Sequence, residues 1–133
     1  MLFRSTNIRT PISGWTADYQ NLVHNHEVRW PLVFASSYLD GLSVFSLQDP
    51  HNPETVAYYD TYLGPRGERV EIVGGAFGVD VRNADGLIVV SDMSTGLWTF
   101  RMDGFQGWNG EQWGVPDISS VQKWDEPARR PIS

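Results

Sequence analysis

Val33-Phe34-Ala35-Ser36, followed by Asp40-Gly41-Leu42 and Phe45, is answered later in the chain by Ile88-Val89-Val90-Ser91, followed by Thr95-Gly96-Leu97 and Phe100. At a shift of 55 residues, Ser36 falls on Ser91, Gly41 on Gly96, Leu42 on Leu97 and Phe45 on Phe100. Each copy reads as a β-hairpin. Upstream, an acidic-Val-Arg triplet recurs at a shift of 53, as Glu27-Val28-Arg29 and Asp80-Val81-Arg82. The two-residue slip therefore falls between two strands, where a loop can absorb it. Self-similarity of this kind identifies a repeat as the folding unit, and one repeat rarely buries its own apolar face.

Composition agrees with a folded, β-rich chain of one domain. The 133 residues are 41% hydrophobic and 13% aromatic, enough for a packed core. A net charge of -6 and the lack of any Lys/Arg cluster beyond Arg129-Arg130 argue against nucleic acid, whose phosphates demand concentrated positive charge. The absence of cysteine removes disulfides, thiolate metal sites and a Cys nucleophile together, and leaves the compartment open. Apolar runs are only a few residues long, so no transmembrane segment is expected, and Met1-Leu2-Phe3-Arg4 is not followed by the apolar stretch of a secretory signal.

Along the chain, residues 1–14 read as an N-terminal arm with one strand-like piece, Leu2 to Arg4. Residues 15–63 form a first unit. An inner strand ending at Arg29 carries Leu22, His24, His26 and Val28 on one face; Leu32 to Ala35 follows, then Asp40-Gly41 as a tight primed turn, Leu42 to Leu47, a double-proline turn over Gln48 to Pro53, and Thr55 to Tyr59. Residues 64–103 form a second unit, opening with a polar insertion expected to project as a loop. Its strands run over Val79 to Arg82, Leu87 to Ser91 and Leu97 to Met102, with turns at Asp85-Gly86, Asp92 to Gly96 and Asp103-Gly104. No fourth strand follows. Residues 104–133 are a Gly-, Trp- and Pro-rich tail. Helical periodicity with caps is absent throughout.

Tandem antiparallel four-stranded meanders with turn dipeptides at fixed offsets predict an all-β chain built as two β-propeller blades, either a partial propeller or a ring completed by other chains. Asp40-Gly41-Leu42-Ser43-Val44-Phe45, followed by Asp49-Pro50-His51-Asn52-Pro53-Glu54-Thr55-Val56-Ala57-Tyr58-Tyr59, resembles the LVIVD repeat, in which a DGL strand precedes a DP-x-NP turn and a VA-containing strand. The resemblance covers roughly residues 23–102. The second copy, Ser91-Asp92 through Gly96-Leu97-Trp98-Thr99-Phe100-Arg101, resembles a closing blade but lacks the DP-x-NP turn. Proteins of this family are commonly large, exported or surface-anchored bacterial propellers without an assigned biochemical activity. The resemblance thus implies a fold and an extracellular, cell-surface or periplasmic setting more than a reaction.

Three groups of residues are candidate sites. His24 and His26, two apart on a strand, are spaced as a metal pair would be, or are simply polar residues of an inner strand. Glu27 and Asp80 are equivalent carboxylates that could act as an acid/base pair for glycoside hydrolysis, while the neighbouring Arg29 and Arg82 argue for structural ion pairing instead. Trp108 and Trp113 could stack on a sugar or another chain, or fold back as core filler. No nucleophile elbow or phosphate-cradling loop is present. The expected function is a non-enzymatic structural or protein-interaction module, a subunit or fragment of a larger assembly, whose open blade edges are covered by another protein chain or by self-association. The alternative is a lectin-like protein that closes a ring by oligomerisation and binds glycan; a hydrolase is the remaining reading. No cofactor is implied.

Overall fold

The structure, a computed structural model, describes residues 11–18, 21–64 and 74–110. It is all-β, with seven strands among the described residues: β1 (Asn25–Arg29), β2 (Leu32–Ser36), β3 (Leu42–Ser46), β4 (Glu54–Tyr59), β5 (Ala76–Val81), β6 (Ile88–Asp92) and β7 (Gly96–Phe100). They form one four-stranded antiparallel sheet, β1-β2-β3-β4, and one three-stranded antiparallel sheet, β5-β6-β7. The arrangement is consistent with two partial propeller-like blades. Among the described residues no helix is long and apolar enough to cross a membrane.

The repeat is carried through to strand register. Glu27 pairs with Phe34 and Val28 with Val33 in the first sheet; Asp80 pairs with Val89 and Val81 with Ile88 in the second. The next ladder repeats as well, Val33 with Phe45 and Ile88 with Phe100. The slip from 53 to 55 lies where β1 and β2 are joined by Trp30-Pro31, whereas the β5–β6 connection carries two more residues before the equivalent pair, Arg82 and Leu87, is reached.

Alternation gives each sheet two faces. Phe34, Leu42 and Val44 of the first sheet lie in one buried cluster with Val79, Val81, Ile88 and Val90 of the second. The opposite face of the first sheet presents Val33, Ala35 and Phe45, packed by Trp15, Val23, Val28 and Leu47. Val33, Ala35 and Phe45 are the repeat equivalents of Ile88, Val90 and Phe100. One face of the first sheet therefore packs against the opposite, non-equivalent face of the second, so the two sheets stack head to tail. A main-chain bridge between Tyr38 and Ala76 ties the β2–β3 loop to the start of β5.

Several local expectations are corrected. β1 runs only from Asn25, although His24 N still donates to Ser36 O, and the His24 ring stacks on Phe77. β5 starts earlier than Val79, at Ala76, with a bulge between Ala76 and Gly78. The β2–β3 turn is not a two-residue primed turn: it spans Ser37 to Gly41, closed by Ser37 N donating to Gly41 O, and takes positive φ at Tyr38 and Gly41. Among the described residues the second sheet has three strands. Leu2 to Arg4 lies outside the described residues.

Candidate functional site

The inner strands carry a buried polar ladder. Glu27 and Arg29, on the face of β1 that meets the second sheet, form an ion pair at 2.9 Å, and both side chains are buried. Arg29 also donates through Nε to Asn83 Oδ1 at 2.6 Å and through Nη2 to the Val81 carbonyl at 2.5 Å, so one guanidinium ties both sheets together. Its remaining face lies 5.9 Å from the Trp108 ring centroid. With its donors engaged and almost no exposed surface, Arg29 is built as a structural clamp.

Asp80 does not join Glu27. The head-to-tail stacking puts the Asp80 side chain on the far face of the second sheet, where its Oδ1 accepts from Val81 N. Arg82, the equivalent of Arg29, pairs with Asp85 instead, Nε to Oδ1 at 2.7 Å, and Arg101 joins the same carboxylate at 2.7 Å. Bonds from Arg82, then Arg101, hold Asp85 well below the usual carboxylate range against a smaller desolvation cost. The two carboxylates are thus not presented as an acid/base pair.

The histidines also part. His24 stacks on Phe77 with ring centroids 3.7 Å apart, and its Nδ1 lies 2.8 Å from the Phe77 carbonyl. His26 is exposed. Among the described residues no three His, Cys, Asp or Glu side chains are grouped to hold a metal. Trp108 folds back: its Nε1 donates to the Trp30 carbonyl at 3.0 Å, and its ring packs against the core beside Phe105. Trp113 lies outside the described residues.

Two features of the surface were not anticipated. Between the sheets, at the C-terminal end of β7, opens a groove of about 140 Å³ lined by Leu42, Val44, Ala57 and Tyr59 of the first sheet and by Ile88, Phe100 and Met102. In the first sheet the place beside β3 is taken by β4; beside the equivalent β7 no described strand pairs. The chain beyond Phe100 crosses instead toward the inner strands, where Trp108 N donates to Asn83 O and Gly107 approaches the Asn83 and Ala84 carbonyls. On the outward face of the first sheet, a second cavity of about 300 Å³ lies among Trp15, Asp40, Ser43, Thr55, Tyr58 and Asp60. The signal for it was present in the repeat: Ala35 and Ser43 stand where the second unit has Val90 and Trp98, so this face has lost bulk at two adjacent positions. No family model, curated protein or solved structure matches this chain.

Proposed function

We propose that the chain is a non-enzymatic structural or protein-interaction module, two LVIVD-like propeller blades within a larger assembly, whose second blade is completed by a β-strand from a neighbouring chain. The observation that supports this is the β7 edge. An unpaired strand edge is a template for main-chain hydrogen bonding, and here it borders an apolar groove that would receive alternate side chains of an added strand. In the first sheet β4 runs in that place, with Ala57 and Tyr59 directed toward the second sheet and Tyr59 within 5.7 Å of the Trp98 ring centroid. The LVIVD resemblance brings an extracellular or cell-surface setting to this reading.

The strand that fills the place in the first unit is the natural probe. A synthetic peptide spanning Pro53 to Asp60 added to the full chain is expected to protect the amides of Gly96 to Phe100 from hydrogen exchange. At concentrations where the chain assembles, size exclusion with light scattering should show a discrete species in which the same amides are protected without peptide, and dilution to monomer should make that protection depend on the peptide. A stable monomer whose β7 amides exchange freely and are unaffected by the peptide would sink the proposal.

A further inference from the structure

The repeat has a third, partial copy. At the same shift of 55 residues, Leu2-Phe3-Arg4-Ser5-Thr6 falls on Ala57-Tyr58-Tyr59-Asp60-Thr61, with the threonine kept, and Ile8 falls on Leu63. Residues 2–4 are therefore equivalent to the second half of β4, in a unit that would precede the first sheet. The end of β4 shows what such a segment does for the sheet that follows it. Tyr59 lies 4.9 Å from the Phe100 ring centroid, and the buried Thr61 hydroxyl donates to Asp92 Oδ2 in the β6–β7 turn. The first sheet has the same two places. On Phe45, the equivalent of Phe100, the stacked ring is Trp15 at 4.2 Å. Ser37, the equivalent of Asp92, is fully buried, and its hydroxyl finds no partner among the described residues.

Resting on the reading that the β7 edge takes up a strand, we infer that this strand is residues 2–4 of a second copy of the chain. Transfer of the β3–β4 register gives its pairing. Leu42 faces Tyr59, Ser43 faces Tyr58 and Val44 faces Ala57, so Leu97 meets Arg4, Trp98 meets Phe3 and Thr99 meets Leu2. Residues directly opposite on an antiparallel pair share a face. Phe3 thus points with Trp98 into the apolar groove of about 140 Å³ between the sheets of the receiving copy. Leu97, 71% exposed, lies on the other face, the equivalent of the one by which Leu42 and Val44 pack on the second sheet. That face meets the outward side of the donor's first sheet, where Tyr58 is 79% exposed, and Thr6 bonds the Ser37 hydroxyl of its own copy as Thr61 bonds Asp92. The receiving edge belongs to a second copy because the chain that leads on from the segment is fastened away from its own second sheet. Ser13 Oγ donates to the Pro50 carbonyl and Trp15 Nε1 to Thr55 Oγ1, with the Trp15 ring on the outward face of the first sheet. Each copy gives one strand and receives one, a heterologous contact of the kind that builds rings. With two sheets per copy, a propeller of roughly four to eight blades takes about two to four copies.

Two variants of the full chain test it by light scattering and hydrogen exchange. Phe3→Asp spoils the donated strand and leaves the receiving edge intact; Leu97→Asp, at an exposed side chain, does the reverse. Thr99→Lys, at an exposed position on the same face, is a second receiving-edge variant. Each alone should raise the concentration of half-dissociation by about tenfold or more relative to the parent chain. An equimolar mixture of Phe3→Asp with either receiving-edge variant should recover a dimer and nothing larger, since one intact junction remains. In that dimer the Gly96 to Phe100 amides of an isotope-labelled Phe3→Asp copy should regain protection. A mixture that stays monomeric overturns the inference, and so does a Phe3→Asp chain that assembles like the parent. A monomeric parent whose β7 protection is lost in Phe3→Asp also overturns it, because the strand then adds within its own chain. Any of these results alongside β7 protection by the Pro53 to Asp60 peptide removes only the identity of the strand. Free exchange of the β7 amides under every condition removes the strand-accepting edge as well.

Discussion

Arg29 donates to the main-chain carbonyl of Val81, so a side chain from the first strand of one sheet satisfies the backbone of the first strand of the other. Its repeat equivalent, Arg82, lies on a face that meets no further sheet among the described residues and turns to Asp85. The same residue at the same register is thus a buried clamp in one unit and a surface ion pair in the next, and only its neighbour differs. Head-to-tail stacking makes this unavoidable: every equivalent pair in a two-unit array has one inner and one terminal member.

The two arginines should therefore differ sharply in their effect on stability. Arg29→Ala removes the guanidinium from a buried carboxylate and from the Val81 and Asn83 acceptors, and is expected to cost about 3–5 kcal/mol. Combining it with Glu27→Gln should recover part of that loss. Arg82→Ala, at a half-exposed pair, should cost less than about 1 kcal/mol. Urea unfolding midpoints of the three variants decide; similar losses for Arg29 and Arg82 would contradict the inter-sheet role.

Gly41 and Gly96 align in the repeat but should not tolerate substitution equally. Both take positive φ, at 72° and 93°. A Cβ on Gly41 would run into the backbone of Tyr59, Asp60 and Thr61, whereas one on Gly96 meets nothing within 4 Å. Gly96→Ala should then cost only the left-handed strain of about 1–2 kcal/mol. Gly41→Ala, which must also displace main chain, should lower the thermal midpoint further. Equal shifts would mean that the β4–β5 connection yields to the added methyl.

The strands and their pairing were legible because both depend on local pattern. Alternation placed Leu42 and Val44 on one face and Phe45 on the other, and the 53-to-55 slip located a longer loop before Ile88, as the ladders show. What remained hidden depends on which sheet faces which. Nothing local to Glu27-Val28-Arg29 states that Arg29 ends among Val81 and Asn83, residues more than fifty positions away. The His24–His26 spacing suggested a shared face, but the stack on Phe77 is a contact across sheets that spacing cannot express. The outward cavity was encoded in Ala35 and Ser43 all along; it becomes visible only by comparing them with Val90 and Trp98.

Asp92 should make the chain acid-sensitive. Burial pushes its carboxyl up, but Thr61 Oγ1, the backbone amides of Thr95 and Ser94 and the Thr95 side chain favour the ionised form and leave it below the usual carboxylate range. A group depressed in the folded state adds stability that is fully present above its unfolded value of about 3.9 and is lost as pH falls through the folded value. Asp92→Ala is expected to cost about 2–4 kcal/mol at neutral pH through the loss of these hydrogen bonds, one of them from the buried Thr61 hydroxyl. The gap to the parent chain should narrow in acid. The Asp85 contribution has the same sign but, being half-exposed, should fade in high salt more than the Asp92 contribution does. A gap that is constant with pH would rule out the depressed carboxyl.

Residues 104–110 should behave as part of the core rather than as a binding surface. Phe105 is 8% exposed and lies 5.2 Å from the Phe34 ring centroid, while Trp108 caps Arg29 and bonds to the Trp30 carbonyl. Phe105→Ala removes a buried aromatic from the inter-sheet cluster and should cost about 3–5 kcal/mol. Trp108→Phe keeps much of the ring but loses the indole donor, leaving the Trp30 carbonyl without that bond at a cost of about 1–3 kcal/mol. A ligand surface would behave in the opposite way, with Trp108→Phe weakening binding and leaving the unfolding midpoint in place. Chemical denaturation of the two variants separates these outcomes: the fold-back predicts a lower midpoint for both, because both side chains pack on the inter-sheet cluster.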